Sequence, residues 1–377
     1  MILVILSVFC LYFLLLVMLI AGWHNATSAF NASKTPYPRK FISVVIPFRN
    51  EKLNLPALIT SLSGQSKTEF EVLLVDDHSN DGGAQVVREL TEGNQRYRLL
   101  PNNGAGKKKA ITTGIAAAKG SIIVTTDADC LVPARWLERI NEAFASENVK
   151  LVFGPVRLRR LKGNLFSEVQ ALEFITVIAT GAASFQFGYP IYCSGANLAF
   201  QRDAFHAVGG YEGNFHVPSG DDEFLLRKVV AAFPGSVKWL ASPDAIVATD
   251  AQPGVSEFFQ QRLRWAGKWK YAGAPAKLLA VVMLAMQLTT VLAVIMLAIG
   301  FVPQTLALAL LAKLTLEYVF LFNLGRYFSH PVSLLPFIIL QAVYPLYVIA
   351  VGIFSNVLSF SWKGRRLRTT ESTTGHF

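Results

Sequence analysis

A mostly parallel α/β sheet domain carried between membrane helices is the fold this 377-residue sequence predicts. Three observations lead there. Strand-like and helix-like segments alternate from residue 42 to 144, acidic clusters stand at the ends of the strand-like runs, and long apolar stretches flank this polar middle. Alternation of this kind implies parallel strands joined by right-handed crossovers.

The first element is the run from Ile2 to Ala21, almost uninterrupted Leu, Ile, Val and Phe. About 20 apolar residues cross a bilayer core. No basic residue precedes the run and it is long for a cleaved signal, so an anchor is expected. Ile42 to Pro47 reads as a strand, broken at Pro47-Phe48-Arg49-Asn50-Glu51, and Leu53, Leu55, Leu58, Ile59 and Leu62 follow at mostly helical spacing. The unit recurs. Glu71–Val75 is a strand ending at Asp76-Asp77, Ala84–Leu90 a helix, Tyr97–Leu100 a strand, Lys107–Ala118 a helix, and Ser121–Thr126 a strand ending at Asp127. Beyond these, Trp136–Phe144 reads as a helix, Leu151–Leu158 as one strand, and Phe166–Ile178 as a helix lying along the membrane surface. Three further apolar stretches, Lys277–Gly300, Thr305–Asn323 and Leu334–Phe360, bring the plain count to four spans.

Composition agrees with this division. The chain is 52% hydrophobic with a mean hydropathy of +0.40, too apolar for an ordinary soluble protein. Its net charge of +10 would suit nucleic acid, yet the cations gather at membrane ends: Lys34, Arg39 and Lys40 after the first span, and Arg262, Arg264, Lys268, Lys270 and Lys277 before the second. That is the positive-inside pattern, which expects residues 22–276 in the cytoplasm and no nucleic-acid partner. Four simple crossings would then leave Lys363-Gly364-Arg365-Arg366-Leu367-Arg368 outside, against the same rule. Leu334–Phe360, interrupted by Pro336 and Pro345, is the segment expected to be re-entrant or broken, while Lys313 and Glu317, spaced i to i+4, can pair within the middle span. Cys10, Cys130 and Cys193 suggest neither a disulfide framework nor a zinc site. The triplets Asn25-Ala26-Thr27 and Asn31-Ala32-Ser33 read as accidental glycosylation patterns on the cytoplasmic side.

Ligands of open α/β sheets bind beyond the carboxyl ends of the strands, where the first acidic clusters fall. A carboxylate of Asp76-Asp77 can accept from the N–H of a uracil ring, although such residues also simply favour turns. Asp127-Ala128-Asp129 is sharper, because alternate residues of an extended segment share a face and two carboxylates there suit Mg²⁺ or Mn²⁺. Such a metal would neutralise a leaving diphosphate. Gly104-Ala105-Gly106-Lys107-Lys108-Lys109 lacks the Walker spacing; Lys107 is expected near a nucleotide, Lys108 and Lys109 in solvent. Ser219-Gly220-Asp221-Asp222 opens a helix, where the macrodipole favours anions and neighbouring acids raise one carboxyl pKa; Asp222 is the candidate general base and Asp221 its structural partner. Gln261-Arg262-Leu263-Arg264-Trp265 offers a cation for a diphosphate and an indole face for a sugar or uracil ring, or else an ordinary juxtamembrane belt.

Together these residues resemble glycosyltransferase family 2, in its membrane-embedded branch with cellulose, chitin, hyaluronan and poly-N-acetylglucosamine synthases and ceramide glucosyltransferase. The resemblance covers about residues 42–270 and rests on seven segments in order: Val44–Glu51, Asp76-Asp77, Lys107 in its Gly-Lys-x-x-Ala-Ile setting, Thr126–Asp129, Cys193–Asn197, Gly220-Asp221-Asp222, and Gln261, Arg264 and Trp265. It implies a glycosyltransferase A-type, Rossmann-like fold, inverting chemistry and a divalent metal, Mg²⁺ or Mn²⁺. Pro47, Glu51, Asp76, Asp77, Lys107, Asp127, Gln261, Arg264 and Trp265 would meet the nucleotide-sugar, Asp129 the metal, and Ser194, Gly195, Ala196, Asn197 and Asp221 the acceptor side, with Asp222 as base. One departure is Gly220-Asp221-Asp222 where many relatives carry Thr-Glu-Asp. Another is the small number of spans after the domain, which favours adding one or a few sugars over threading a polymer.

The organisation expected is therefore an N-terminal transmembrane helix (1–22), a cytoplasmic catalytic domain (36–276), membrane-embedded helices (277–361) and a basic tail (362–377) in an inner (plasma) membrane. The expected reaction moves a sugar from a nucleotide-sugar, UDP-linked in the first reading, to a lipid or lipid-linked glycan. A processive polysaccharide synthase and a non-catalytic membrane scaffold with the same fold are the alternatives.

Overall fold

The structure, a computed structural model, describes residues 2–28, 38–161, 163–217, 219–268, 271–301, 303–355, 360–362 and 365–367. Lys34, Lys270, the Asn31-Ala32-Ser33 triplet and most of the basic tail lie outside them.

The chain opens with α1 (Ile2–Ser28), then enters the sheet domain through β1 (Ile42–Phe48), α2 (Leu55–Ser63), β2 (Phe70–Asp76), α3 (Gly83–Thr91), β3 (Tyr97–Pro101), α4 (Lys107–Ala117) and β4 (Ile122–Thr125). These are the alternating units read from the sequence. They form the parallel part of a seven-stranded sheet, with β1 between β2 and β4, so that Ile42 faces Phe70 on one side and Ile122 on the other. Every residue of β1 is buried, which is why it reads as one continuous apolar run rather than an alternating one. Val44, Val45 and Ile46 are wholly enclosed, each worth about 1.5–3 kcal/mol of burial.

After β4 come α5 (Trp136–Ala143), β5 (Leu151–Phe153), β6 (Val156–Leu158), α6 (Leu165–Gln186), β7 (Leu198–Gln201), α7 (Arg202–Ala207), α8 (Asp221–Ala232), β8 (Val237–Trp239), β9 (Val247–Thr249) and α9 (Val255–Ala266). The full sheet order is β3-β2-β1-β4-β7-β5-β8, with β7 antiparallel to both its neighbours. The single strand expected over Leu151–Leu158 is two strands. Gly154-Pro155 divides it, and β6 leaves the large sheet to pair with β9.

The chain ends with α10 (Ala274–Ala298), α11 (Gln304–Tyr327), α12 (Leu334–Phe354) and the short antiparallel pair β10 (Phe360–Trp362) and β11 (Arg365–Leu367). Among the described residues five helices, not four, are long and apolar enough to cross a membrane: α1, α6, α10, α11 and α12. The fifth, α6, differs from the rest. Over its most apolar stretch 61% of residues are buried inside the protein, against 22–33% in the other four. Its side chains meet the sheet domain near both ends: Gln170 exchanges hydrogen bonds with Gln252 at 2.9 and 3.0 Å, and the Phe185 ring packs edge-on against Phe153 at 5.5 Å. The helix expected over Phe166–Ile178 is thus longer and sits between the domain and the other apolar helices.

One feature of the last segments departs from expectation. Helix α12 is continuous: Pro336 falls in its first turn, where the missing N–H has no helical partner to lose, and Pro345 is accommodated inside. Both flanks of α12 abut the domain, because Arg157 of β6 donates to the Phe328 carbonyl at 2.9 Å just before it, and β10 lies against α9 just after it. Lys313 and Glu317 pair at 3.0 Å, as their spacing implies, and Tyr12 of α1 and Gln341 of α12 complete the network. The ammonium and the carboxylate in that apolar setting each have partners that offset their desolvation.

Candidate functional site

The carboxyl ends of β1, β2 and β4, the first turn of α8 and the length of α9 surround one cleft of about 630 Å³. All the residues the sequence nominated line it except Asp76 and Asn197. Asp76 instead accepts from the Ser79 N–H at 2.9 Å, closing the turn after β2. Asn197 is buried behind the wall, where its amide donates to the Pro155 and Ala245 carbonyls and its oxygen accepts from the Trp136 indole at 2.9 Å. It holds three segments together and does not face the cleft.

On the strand side, Asp77 accepts from Asn102 at 2.7 Å and from the Gly106 N–H at 2.9 Å, which ties the β2 end to the start of α4. Arg49, just beyond β1, donates to the Asp77 and His78 carbonyls at 2.7 and 2.8 Å. Lys107, in the first turn of α4, bridges the two halves of the cleft: its ammonium is 2.7 Å from Asp127 and 3.2 Å from Asp221. Burial would lower its pKa, but Asp127, Asp221 and Asp222 outweigh burial and hold it well above the usual lysine value.

Asp127 and Asp129 reach the cleft from a turn rather than from an extended segment, since Cys130 N–H donates back to the Asp127 carbonyl at 3.2 Å. Burial and the nearby Asp127 push the Asp129 pKa up to about 6. Two crowded carboxylates are a hard-oxygen donor set that a divalent cation would relieve. No cluster of three metal-ligating side chains occurs among the described residues, so the protein's share of such a site would be these two oxygen donors. That suits an ion completed by water and phosphate oxygens.

Asp222 sits in the first turn of α8, after Gly220 with φ of +81°. One carboxylate oxygen accepts from the Gly195 N–H at 3.0 Å and the other from the Glu223 N–H at 2.8 Å, with the Lys268 ammonium 3.9 Å away. Burial raises its pKa and Asp221 and Glu223 add to this against the opposing Lys268. For Asp221 burial also acts upward, but Lys107 and Lys108 win and its pKa is lowered. The two adjacent acids are therefore driven apart, as different roles would require. A glycine at 195 leaves room for this meeting: a Cβ there would stand 3.0 Å from the Asp221 carboxylate and 3.2 Å from the Lys107 ammonium.

One expectation about a cation is overturned. Lys108 is buried, not solvated, and its ammonium donates to the carbonyls of Asn214, Val217 and Ser219 at 2.9, 2.6 and 2.9 Å. It anchors the loop leading into α8. Of the cations before the second span, Arg262 forms a buried ion pair with Glu173 of α6, and Lys268 pairs with Glu223 at 2.7 Å. Arg49, Lys268 and Gln252 also line the cleft without having been nominated. Position just past β1 could have pointed to Arg49; nothing local marks the other two.

Residues 43–209, from β1 through the turn after α7, match the glycosyl transferase family 2 profile. Among similar proteins are the undecaprenyl-phosphate 4-deoxy-4-formamido-L-arabinose transferase of Aeromonas hydrophila, 38% identical over 28% of this chain and 33% of that protein, and glycosyltransferase AglE of Haloferax volcanii, 31% identical over 51% and 62%. The chain spans about one to two thirds of the length of the curated relatives it matches. A mannosyltransferase of Pyrobaculum calidifontis, solved in complex with GDP-Man and Mn²⁺, superposes with a TM-score of 0.59 at 19% identity over 93% of this chain and 97% of that one. The likeness establishes the glycosyltransferase A-type fold. The family 2 match ends at residue 209, before Asp221, Asp222 and all of α9.

Proposed function

We propose that the chain is an inverting, metal-dependent glycosyltransferase that moves a sugar from a nucleotide-sugar to a lipid or lipid-linked glycan at the membrane. The observation that carries this reading is the cleft itself: it joins the strand-end carboxylates of the family 2 domain to Asp222 and to the Gln261, Arg264 and Trp265 face of α9. Relatives named as transferases to undecaprenyl phosphate support a lipid-linked acceptor, and the five apolar helices support a membrane setting.

Asp77 and Lys107 would hold the nucleotide end of the donor, with Arg264 and Trp265 closing over diphosphate and sugar. Asp127 and Asp129 would hold Mg²⁺ or Mn²⁺, which supplies positive charge for the leaving diphosphate. Asp222 accepts the proton of the acceptor hydroxyl as that oxygen bonds to the anomeric carbon and the bond to the diphosphate breaks from the opposite face. Its raised pKa makes it a better base than an ordinary carboxylate, and the Gly195 N–H fixes its direction.

The domain is assigned to the cytoplasmic side, where activated sugars are made. With α6 lying on the domain and both flanks of α12 against it, three crossings by α1, α10 and α11 leave the basic tail on that same side. Donor-dependent release of nucleoside diphosphate by the purified protein tests the reading; a folded protein that releases none from any UDP- or GDP-sugar with membrane lipids present would support a scaffold instead.

A further inference from the structure

The Gln261, Arg264 and Trp265 face of α9 is not held by α9 alone. Between these residues lies Arg262, which is buried and also borders the cleft. Its guanidinium lies between two rings, 4.3 Å from the centre of Phe258 and 4.4 Å from that of Trp265. It also donates to the Gln261 side-chain oxygen at 2.5 Å. One planar cation thus fixes the indole and the amide that face the cleft.

Arg262 is held in turn from the apolar helices. Its Nε donates to Glu173 of α6 at 3.1 Å, and a second nitrogen of the guanidinium pairs with the other carboxylate oxygen. The Tyr347 hydroxyl of α12 donates to the same Glu173 at 2.7 Å. The two charged side chains are only 6% and 5% exposed, so neither can exchange its partner for water. A bidentate pair of this kind sets direction as well as distance.

Resting on the glycosyltransferase reading, we propose that Arg262 is a positioning residue for Gln261 and Trp265, and that Glu173 and Tyr347 make α6 and α12 part of the donor cleft's geometry. A residue serving stability alone would be interchangeable with any group that keeps the helices packed. A positioning residue is not. Lysine at 262 keeps the charge opposite Glu173 but loses the planar stack on Trp265 and the fork geometry. Phenylalanine at 347 removes one hydroxyl and leaves ring packing in place.

The experiment uses full-length protein in lipid nanodiscs, comparing wild type with Arg262→Lys, Tyr347→Phe, Glu173→Gln, Gln261→Ala and the Arg262→Lys/Gln261→Ala pair. Donor KM and kcat for nucleoside diphosphate release are measured alongside UDP and GDP affinity and thermal midpoints. Arg262→Lys is expected to raise donor KM about tenfold with the thermal midpoint little changed, Tyr347→Phe to move it the same way by less, and the double variant to cost clearly less than the two single effects combined. Wild-type kinetics in both Arg262→Lys and Tyr347→Phe would overturn the proposal, as would full additivity in the double variant. Glu173→Gln leaves a buried arginine unpaired and can fail to fold; Tyr347→Phe then carries the test of the helix contribution. Wild type that neither binds UDP or GDP nor releases either would instead overturn the glycosyltransferase reading on which the proposal stands.

Discussion

Replacing Lys108 by methionine keeps the apolar stem and removes the three donors that gather the Asn214, Val217 and Ser219 carbonyls. Burial draws the Lys108 pKa down to about 8, while Asp221 and Asp222 hold it up, so at pH 7 the group is an ammonium with all three donors in place. Hydrogen bonds from charged groups contribute about 1.5–3 kcal/mol each. The Asn214 carbonyl keeps a second donor, the Val217 N–H at 3.2 Å, and methionine retains contact with the Phe224 ring that the ammonium overlies at 5.1 Å. These retained contacts, and one charge shared among three bonds, discount each to about 1 kcal/mol, a loss of about 3 kcal/mol or roughly a hundredfold at 1.4 kcal/mol per factor of ten. The loss falls on the loop that delivers Asp221 and Asp222, so it is read by hydrogen exchange in the full-length protein. Amides of residues 211–230 should exchange about a hundredfold faster in Lys108→Met, with the strands β1 and β2 unaffected. Exchange within threefold of wild type across that stretch, on the order of measurement scatter, would refute the anchoring argument.

Other consequences follow from the same contacts. Because the Asp222 pKa is raised and a general base must be ionised, the rate of sugar transfer should fall on acidification at a pH above the ordinary aspartate value of about 3.9; a pH–rate profile whose acid limb lies at or below that value would contradict the assignment. Asp129 takes up a proton near pH 6 when no cation is bound, so Mn²⁺ affinity measured by calorimetry should fall about tenfold per unit below that pH and release protons on binding; pH-independent affinity would remove Asp129 from the ligand set. At Gly22 a Cβ would stand 2.7 Å from the Ala183 carbonyl of α6, so Gly22→Val should lower the thermal midpoint by separating α1 from α6, at a cost of about 1–3 kcal/mol; an unchanged midpoint would show that the two helices are not tightly seated.

The parts of the fold that could be read from the sequence are those in which local pattern and burial agree. Strands β1, β2 and β4 are buried on both faces and so appear as short continuous apolar runs, and β2 and β4 lead into acids. Strands β7, β8 and β9 are only three or four residues long and join by pairing across wide sequence gaps, which leaves no periodicity to see. Helix α6 is apolar around most of its circumference because protein covers it, and composition alone cannot separate that from cover by lipid. The strand-end acids were legible for a topological reason. Arg262 and Lys268 were not, because a cation beside the membrane looks the same in sequence whether it faces a headgroup or a buried carboxylate; Lys108 was not, because the three carbonyls it meets come from a loop far along the chain. Asn197 shows the converse: it stands in the right segment, yet its whole hydrogen-bonding capacity is turned inward to Trp136, Pro155 and Ala245.

The most direct test of the account is release of nucleoside diphosphate from UDP- and GDP-sugars by the full-length protein with Mn²⁺ and membrane lipid extract, measured beside Asp222→Asn. The account predicts lipid-dependent release in wild type and a loss of about 10²–10⁴-fold in Asp222→Asn at unchanged UDP or GDP affinity. Equal release by both proteins would contradict Asp222 as the base, and no release by folded wild type with any donor would contradict the glycosyltransferase reading itself.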